Sequence, residues 1–223
     1  ESFGRVFKVG EVRSESAGLL SASRRRVNVT LRKGAASGDD QLARLKALLD
    51  DPALVGRTVF ALHPHQTKFD LPAESAVVVP PDIPVSRAAL AANMETALNA
   101  TWDAAPGPSG RIAVVGAGVV GALVAFLCAR IDDAEVTLID INPEREALAH
   151  ALGVGFAVPE QAPADCDYIF HASASAAGLT TALNIAAEEA TIVEMSWYGA
   201  GIVSVPLGGA FHSRRLKIVS SQV

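Results

Sequence analysis

From residue 111 onward, apolar runs of five to seven residues alternate with stretches whose apolar positions recur every three or four. The runs at 111–116, 135–140, 167–172, 190–196 and 216–221 predict strands, with a short strand near 155–158. The stretches at 119–130, 143–152 and 175–188 predict helices. A continuous apolar run suits a strand buried on both faces, and regular alternation with helices demands a parallel sheet covered on both sides. Asn142 suits the helix cap, Pro143 the first helical position and Gly153 the exit.

The first 85 residues carry a different pattern. "GRTVFAL" (56–62), "KFDLP" (68–72) and "SAVVVPPDIP" (75–84) read as short strands punctuated by proline. "DDQLARLKALLDD" (39–51) reads as a helix, with Leu42, Leu45, Leu48 and Leu49 on one face, Asp39 or Asp40 as cap and Pro52 as stop. Residues 13–38 show no clear period and receive no element. After Pro84 an Ala-rich stretch, 85–104, reads as one or two helical pieces, and 105–110 as a turn. The chain therefore divides into a β-rich part, 1–85, and an α/β part, 86–223.

Composition supports two folded parts: 50% of the 223 residues are hydrophobic and 19% charged, which excludes a disordered chain. A net charge of −5 argues against a nucleic-acid partner, and the "RRR" at 24–26 reads as a solvated face. Residues 112–129 contain no charge, the lower length for a membrane span. Strand formers broken at once by Gly-Ala-Gly, without flanking aromatic anchors, favour a buried strand and helix, so no membrane partner is expected. Cys128 and Cys166 have no metal or redox spacing and read as two buried thiols of a reducing, cytoplasmic compartment. No secretory leader is expected. The chain starts at Glu1 and stops at Val223 just after a strand-like run, which reads as a piece of a longer chain.

Gly116, Gly118 and Gly121 form G-x-G-x-x-G between a predicted strand and a predicted helix, the context that gives this short motif meaning. In a Rossmann-type, doubly wound sheet the first glycine permits the tight turn, the second admits a pyrophosphate, and the third lets the helix pack on the strand. Val119 and Val120 complete the loop at the helix N-terminus, whose free N–H groups suit an anion. Asp140 follows Gly121 by 19 residues at the end of "EVTLID", where a carboxylate accepts from ribose hydroxyls and repels a 2′-phosphate. NAD is therefore expected ahead of NADP. Arg145 is either a 2′-phosphate partner or a solvated helix residue.

Ligands of such sheets lie beyond the carboxyl ends of the strands. Ala172, Ser173 and Ser175, then Ser196, Trp197, Tyr198 and Gly199, then Ser220, Ser221 and Gln222, occupy those ends. Small hydrogen-bonding side chains there suit a carboxamide and a ribose, or serve as caps and turns. Acid–base candidates are His63, His65, Glu95, His171, Tyr198 and His212, with His171 expected as a hydrogen-bonded core histidine and His150 on a surface. "HPHQ" (63–66) lacks a third neighbouring ligand, so no metal site is expected.

A β-rich first part, "AANMETALNATWDA" (91–104), "VVGAGVVG", "LIDINPER", "SWYG" and "FHSRRLKIVSSQV" together resemble the medium-chain dehydrogenase/reductase superfamily, in particular the zinc-type alcohol and sorbitol dehydrogenases. The resemblance covers roughly 54–223. It implies a partial GroES-like domain before a Rossmann domain and hydride transfer between NAD(P) and an alcohol or ketone. It also implies pairing of two copies through the Rossmann domain. It places Thr96 on a helix facing the nicotinamide, and Glu95 where the sorbitol branch has a zinc ligand. The four-cysteine loop, the catalytic-zinc cysteine and its following Gly-His-Glu are absent from this sequence. Zinc is therefore not expected, and Glu95, the catalytic candidate, reads as a general base, a relic, or a helix residue bonded to a neighbour. Two readings follow: an oxidoreductase acting on an alcohol or carbonyl compound, or a dinucleotide-binding module without catalysis, either a sensor or a degenerate fragment of such an enzyme.

Overall fold

The computed structural model describes the backbone of residues 3–15, 24–30, 54, 56–63 and 68–223, with side chains for 54, 56–62 and 72–223. The chain divides into two compact units, Glu1–Ala92 and Asn93–Val223.

The first unit holds an antiparallel sheet of β1 (Phe3–Glu15), β2 (Arg24–Thr30), β3 (Thr58–His63), β4 (Lys68–Pro72) and β5 (Val77–Val78), in the order β4-β2-β1-β3-β5. Phe3–Lys8 of β1 pairs with β3, and Lys8–Glu15 pairs with β2, with an irregularity between Val9 and Glu11. Val59 and Ala61 are buried while Leu62 is exposed, the period of two expected of a strand with one covered face. β2 lies wholly inside 13–38, where no period is legible. Its three leading arginines leave only Val27 and Val29 to alternate. The stretch 75–84 forms only the two-residue β5, because Pro80, Pro81 and Pro84 offer no N–H to a ladder. The helix expected at 39–51 lies outside the described residues. A single turn, α1 (Val85–Ala88), follows Pro84.

α2 (Ala91–Ala104) leads into the second unit. There β6 (Arg111–Val115), β7 (Glu135–Ile139), β8 (Gly155–Ala157), β9 (Cys166–His171), β10 (Ala186–Glu194) and β11 (Lys217–Ser220) form a six-stranded sheet ordered β11-β10-β9-β6-β7-β8. Every pairing is parallel. The helices are α3 (Val119–Cys128), α4 (Glu146–Leu152), α5 (Ala176–Ile185) and the single turn α6 (Ala210–Ser213). Alternate residues of each strand feed two cores. Ala113, Val115, Ile169 and Ile192 pack with Leu179, Ala182 and Leu183 of α5. Ile112, Val114, Phe170 and Val193 pack with Ala97 and Ala100 of α2 and with Val124, Ala125 and Cys128 of α3. This is the doubly wound arrangement, and strand order reverses at β6, between β7 and β9.

Local signals act as expected around α4. Asn142 Oδ1 accepts from Glu144 N at 3.0 Å, Pro143 opens a short 3-10 turn over Pro143–Arg145, and Gly153 closes the helix in the left-handed region. The helix expected over 175–188 ends at Ile185 instead. Glu189 takes a φ of 58° and donates its N–H to Arg214 O at 2.7 Å, so a tertiary bond draws the chain into β10. No helix among the described residues is long and apolar enough to cross a membrane.

Candidate functional site

Gly116 leaves β6 with a φ of +109°, a conformation that side chains strongly disfavour. A Cβ there would lie 2.8 Å from Ser173 N and Cα, so the loop rests directly on the backbone beyond β9. At Gly121 a Cβ would lie 1.9 Å from Gly116 O, which fixes the closeness of α3 to the turn. Gly118, the residue before α3, differs: a Cβ on it meets nothing within 4 Å. The loop thus has two glycines demanded by its own packing and one that faces open space at a helix N-terminus. That open cradle fits a pyrophosphate. Val119 is exposed beside it and Val120 half-buried.

Asp140 follows β7 and holds the same loop. Its Oδ2 accepts from Ala117 N at 2.7 Å and its Oδ1 from Asn142 N at 2.9 Å. Each carboxylate oxygen keeps further acceptor capacity, so the half-buried group can still receive hydroxyls. Arg145 is exposed in the turn before α4.

A denser cluster stands at the ends of β9 and β10. His171 is fully buried, and its Nδ1 lies 2.8 and 2.9 Å from the two Glu194 oxygens. Its Nε2 lies 2.7 Å from Ser173 Oγ, which in turn lies 3.0 Å from Ser175 Oγ. Ser175 caps α5 by accepting from Gly178 N. Glu194 also accepts from Ser196 N at 2.8 Å and from the Tyr198 hydroxyl at 3.3 Å. Ser196 Oγ accepts from Ala174 N at 3.1 Å. Burial pushes the Glu194 carboxyl up, but the bonds from His171 and Ser196 outweigh it and hold the group below its ordinary value. Burial and the Glu194 charge push the Tyr198 hydroxyl up.

The other candidates are dispersed. Glu95 is exposed and Thr96 half-buried on α2. The same helix sends Asn99 to Ser221 Oγ at 3.2 Å and to Gln222 O at 3.4 Å, tying it to the end of β11. Ala172 is half-buried, Trp197 exposed, and His150 and His212 exposed. His63 is described only as backbone in β3, and His65 lies outside the described residues. Among the described residues no three His, Cys, Asp or Glu side chains gather to hold a metal ion, so those residues do not fit a zinc site.

Sequence reasoning missed Glu194. The signal was present: a lone acid closes the apolar run "TIVE" at the carboxyl end of a buried strand, where a charge needs a partner. His171, expected as a hydrogen-bonded core residue, is that partner.

No family model and no curated protein matches the chain. Solved structures do. Galactitol-1-phosphate dehydrogenase from Escherichia coli aligns over 99% of this chain and 82% of its own, with a TM-score of 0.67 and 17% identity. An alcohol dehydrogenase from E. coli CFT073, solved with NADH, aligns over 98% and 76%, with a TM-score of 0.66 and 16% identity. The 2R,3R-butanediol dehydrogenase of Bacillus subtilis aligns over 100% and 78%, with a TM-score of 0.64 and 14% identity. At these identities the likeness is one of fold: the chain shares with these alcohol and polyol dehydrogenases a β-rich first unit and a Rossmann-like parallel sheet with helices.

Proposed function

We propose that the chain binds NAD at the 116–121 loop and works as an oxidoreductase on a small alcohol or ketone. The carrying observation is the contrast within the loop: packing fills the Cβ positions of Gly116 and Gly121, and that of Gly118 is open. In this reading the N-terminus of α3 holds the pyrophosphate, with Val119 and Val120 lining it. Asp140 takes the ribose hydroxyls while keeping Ala117 N in place, and its charge favours NAD over NADP. Arg145 stays in solvent. Thr96, Ala172, Ser173, Ser196 and Trp197 face the nicotinamide half. Residues 86–223 serve as the cofactor domain and 1–85 as a partial GroES-like domain. The cytoplasmic setting and pairing of two copies through the cofactor domain belong to the same proposal. Similar folds solved with NADH, NAD and NADP support the dinucleotide cofactor class.

Bound NAD supplies the hydride acceptor and donor. The chain's share is to orient the ring, exclude water and move one proton. Glu95, at the position where the resemblance has a zinc ligand, is the candidate base. No step is routed through zinc.

A second reading is a dinucleotide-binding module without catalysis. The exposure of Glu95 favours it, since a general base works best where partial desolvation brings its pKa near the working pH. Calorimetric titration with NADH, NADPH and ADP-ribose, followed by an alcohol screen read as NADH absorbance, separates the two. Binding with turnover supports the enzyme. Binding without turnover across the screen supports the module. An absence of binding removes both.

A further inference from the structure

We propose that Trp197, held by the Glu194–His171 pair, is a preset stacking surface that discriminates the oxidised nicotinamide ring from the reduced one. This rests on the dinucleotide reading above and adds a redox-state preference to it.

The indole of Trp197 is 69% exposed. Single exposed apolar residues are common on proteins, but Trp197 is mounted unusually. Both of its neighbours are fixed by one carboxylate: Ser196 donates its N–H to Glu194 Oε1 at 2.8 Å, and Tyr198 donates its hydroxyl to Glu194 Oε2 at 3.3 Å. Ser196 is held a second time, by Ala174 N at 3.1 Å. Glu194 is itself gripped by the buried His171, whose other nitrogen is held by Ser173. A large aromatic group is therefore offered to solvent on backbone that is already ordered. A ligand stacking on it spends little on ordering the loop.

Its place in the sheet says which ring it would meet. Asp140 follows β7 on one side of β6, and Trp197 follows β10 on the other. In a doubly wound sheet the two nucleotides of a dinucleotide divide between these halves. With the adenosine ribose at Asp140, the second ring lies on the Trp197 side. An oxidised nicotinamide is a planar cation, and indole is the strongest of the aromatic faces for a cation. A reduced, uncharged ring loses that attraction.

The protein has two tryptophans, so Trp102→Phe leaves Trp197 as the sole reporter. That variant is titrated with NAD+, NADH and ADP-ribose, with calorimetry for affinity, indole emission for contact and difference absorbance for charge transfer. NAD+ should quench the emission and give a charge-transfer band to the red of the indole absorption, while ADP-ribose binds without either. In the otherwise native chain, Trp197→Leu should weaken NAD+ about fivefold and leave ADP-ribose unchanged. Glu194→Gln should reduce the charge-transfer band while Trp197 remains. Binding of NAD+ without quenching, or an equal loss in Trp197→Leu for NAD+ and NADH or for NAD+ and ADP-ribose, overturns the proposal and leaves the dinucleotide site standing. Failure of all three ligands to bind overturns both.

Discussion

Ala117 donates its backbone N–H to Asp140 Oδ2 at 2.7 Å, so the acid after β7 is a structural part of the glycine loop. Asp140 accepts a second backbone N–H, from Asn142, through its other oxygen. An asparagine can accept one of these bonds but turns its NH2 toward the other donor. Asp140→Asn should therefore cost about 1–2 kcal/mol of stability, the scale of one hydrogen bond to a charged group lost at a half-buried site. It should also narrow the preference for NADH over NADPH, because the charge that repels a 2′-phosphate is gone. Denaturant melts and paired titrations check both. An unchanged melt with an unchanged cofactor ratio would show that neither bond matters.

The loop glycines separate binding from folding. Gly118→Val places its side chain in open space, and the native φ of −74° suits any residue. Stability should change by about 1 kcal/mol or less, while NADH affinity falls sharply. Gly121→Ala should do the reverse at the level of the fold, since its Cβ meets Gly116 O at 1.9 Å and one element must move. Thermal melts beside NADH titrations distinguish the pair. A folded Gly118→Val that binds normally would place the dinucleotide elsewhere.

The two thiols offer a test of the core. Cys128 lies in α3 between the helix and the sheet, and burial pushes its pKa up to about 12. Burial likewise pushes Cys166 up to about 11, with Arg111 pulling it down and Asp167 and Asp165 pushing it up. Only the thiolate reacts readily. Both should resist alkylation in the native protein near neutral pH and react fully in denaturant. Stoichiometric labelling of the native protein, with its near-ultraviolet dichroism intact, would contradict the buried placement.

The second unit was legible because its strands are continuous apolar runs separated by Asn142-Pro143, Gly153 and the three loop glycines. Local chemistry and tertiary structure agree there except at 186–188, expected as helix and found in β10. The first unit was less so, for reasons visible in particular residues. Arg24, Arg25 and Arg26 mask the short Val27–Val29 alternation of β2, and prolines trim the run at 75–84 to two paired residues. The glycine loop and Asp140 could be read because their spacing is a local code. The Glu194–His171 pair joins residues 23 apart on neighbouring strands; the lone acid closing "TIVE" signals that a partner is needed, but which residue it is depends on the register of the whole sheet.

That pair gives the last prediction its sign. Glu194 is held below its ordinary pKa of 4.5 in the folded chain, despite burial, by His171, Ser196 N and the charge across the pair. A lowered folded pKa means the unfolded chain binds more protons, so this contribution is complete above the ordinary value and is lost as pH falls through the folded one. Glu194→Gln removes the titrating group and leaves His171, 0% exposed, without its carboxylate. Breaking a buried pair from one side costs about 3–5 kcal/mol, toward the lower end here because Glu194 keeps 16% of its side chain exposed. The stability gap between the native chain and Glu194→Gln should therefore be widest near pH 7 and close as pH drops below about 4.5. Urea titrations of both proteins across that range measure it. A gap that stays constant, or widens in acid, would mean that the Glu194 carboxylate is not what holds the ends of β9 and β10 together.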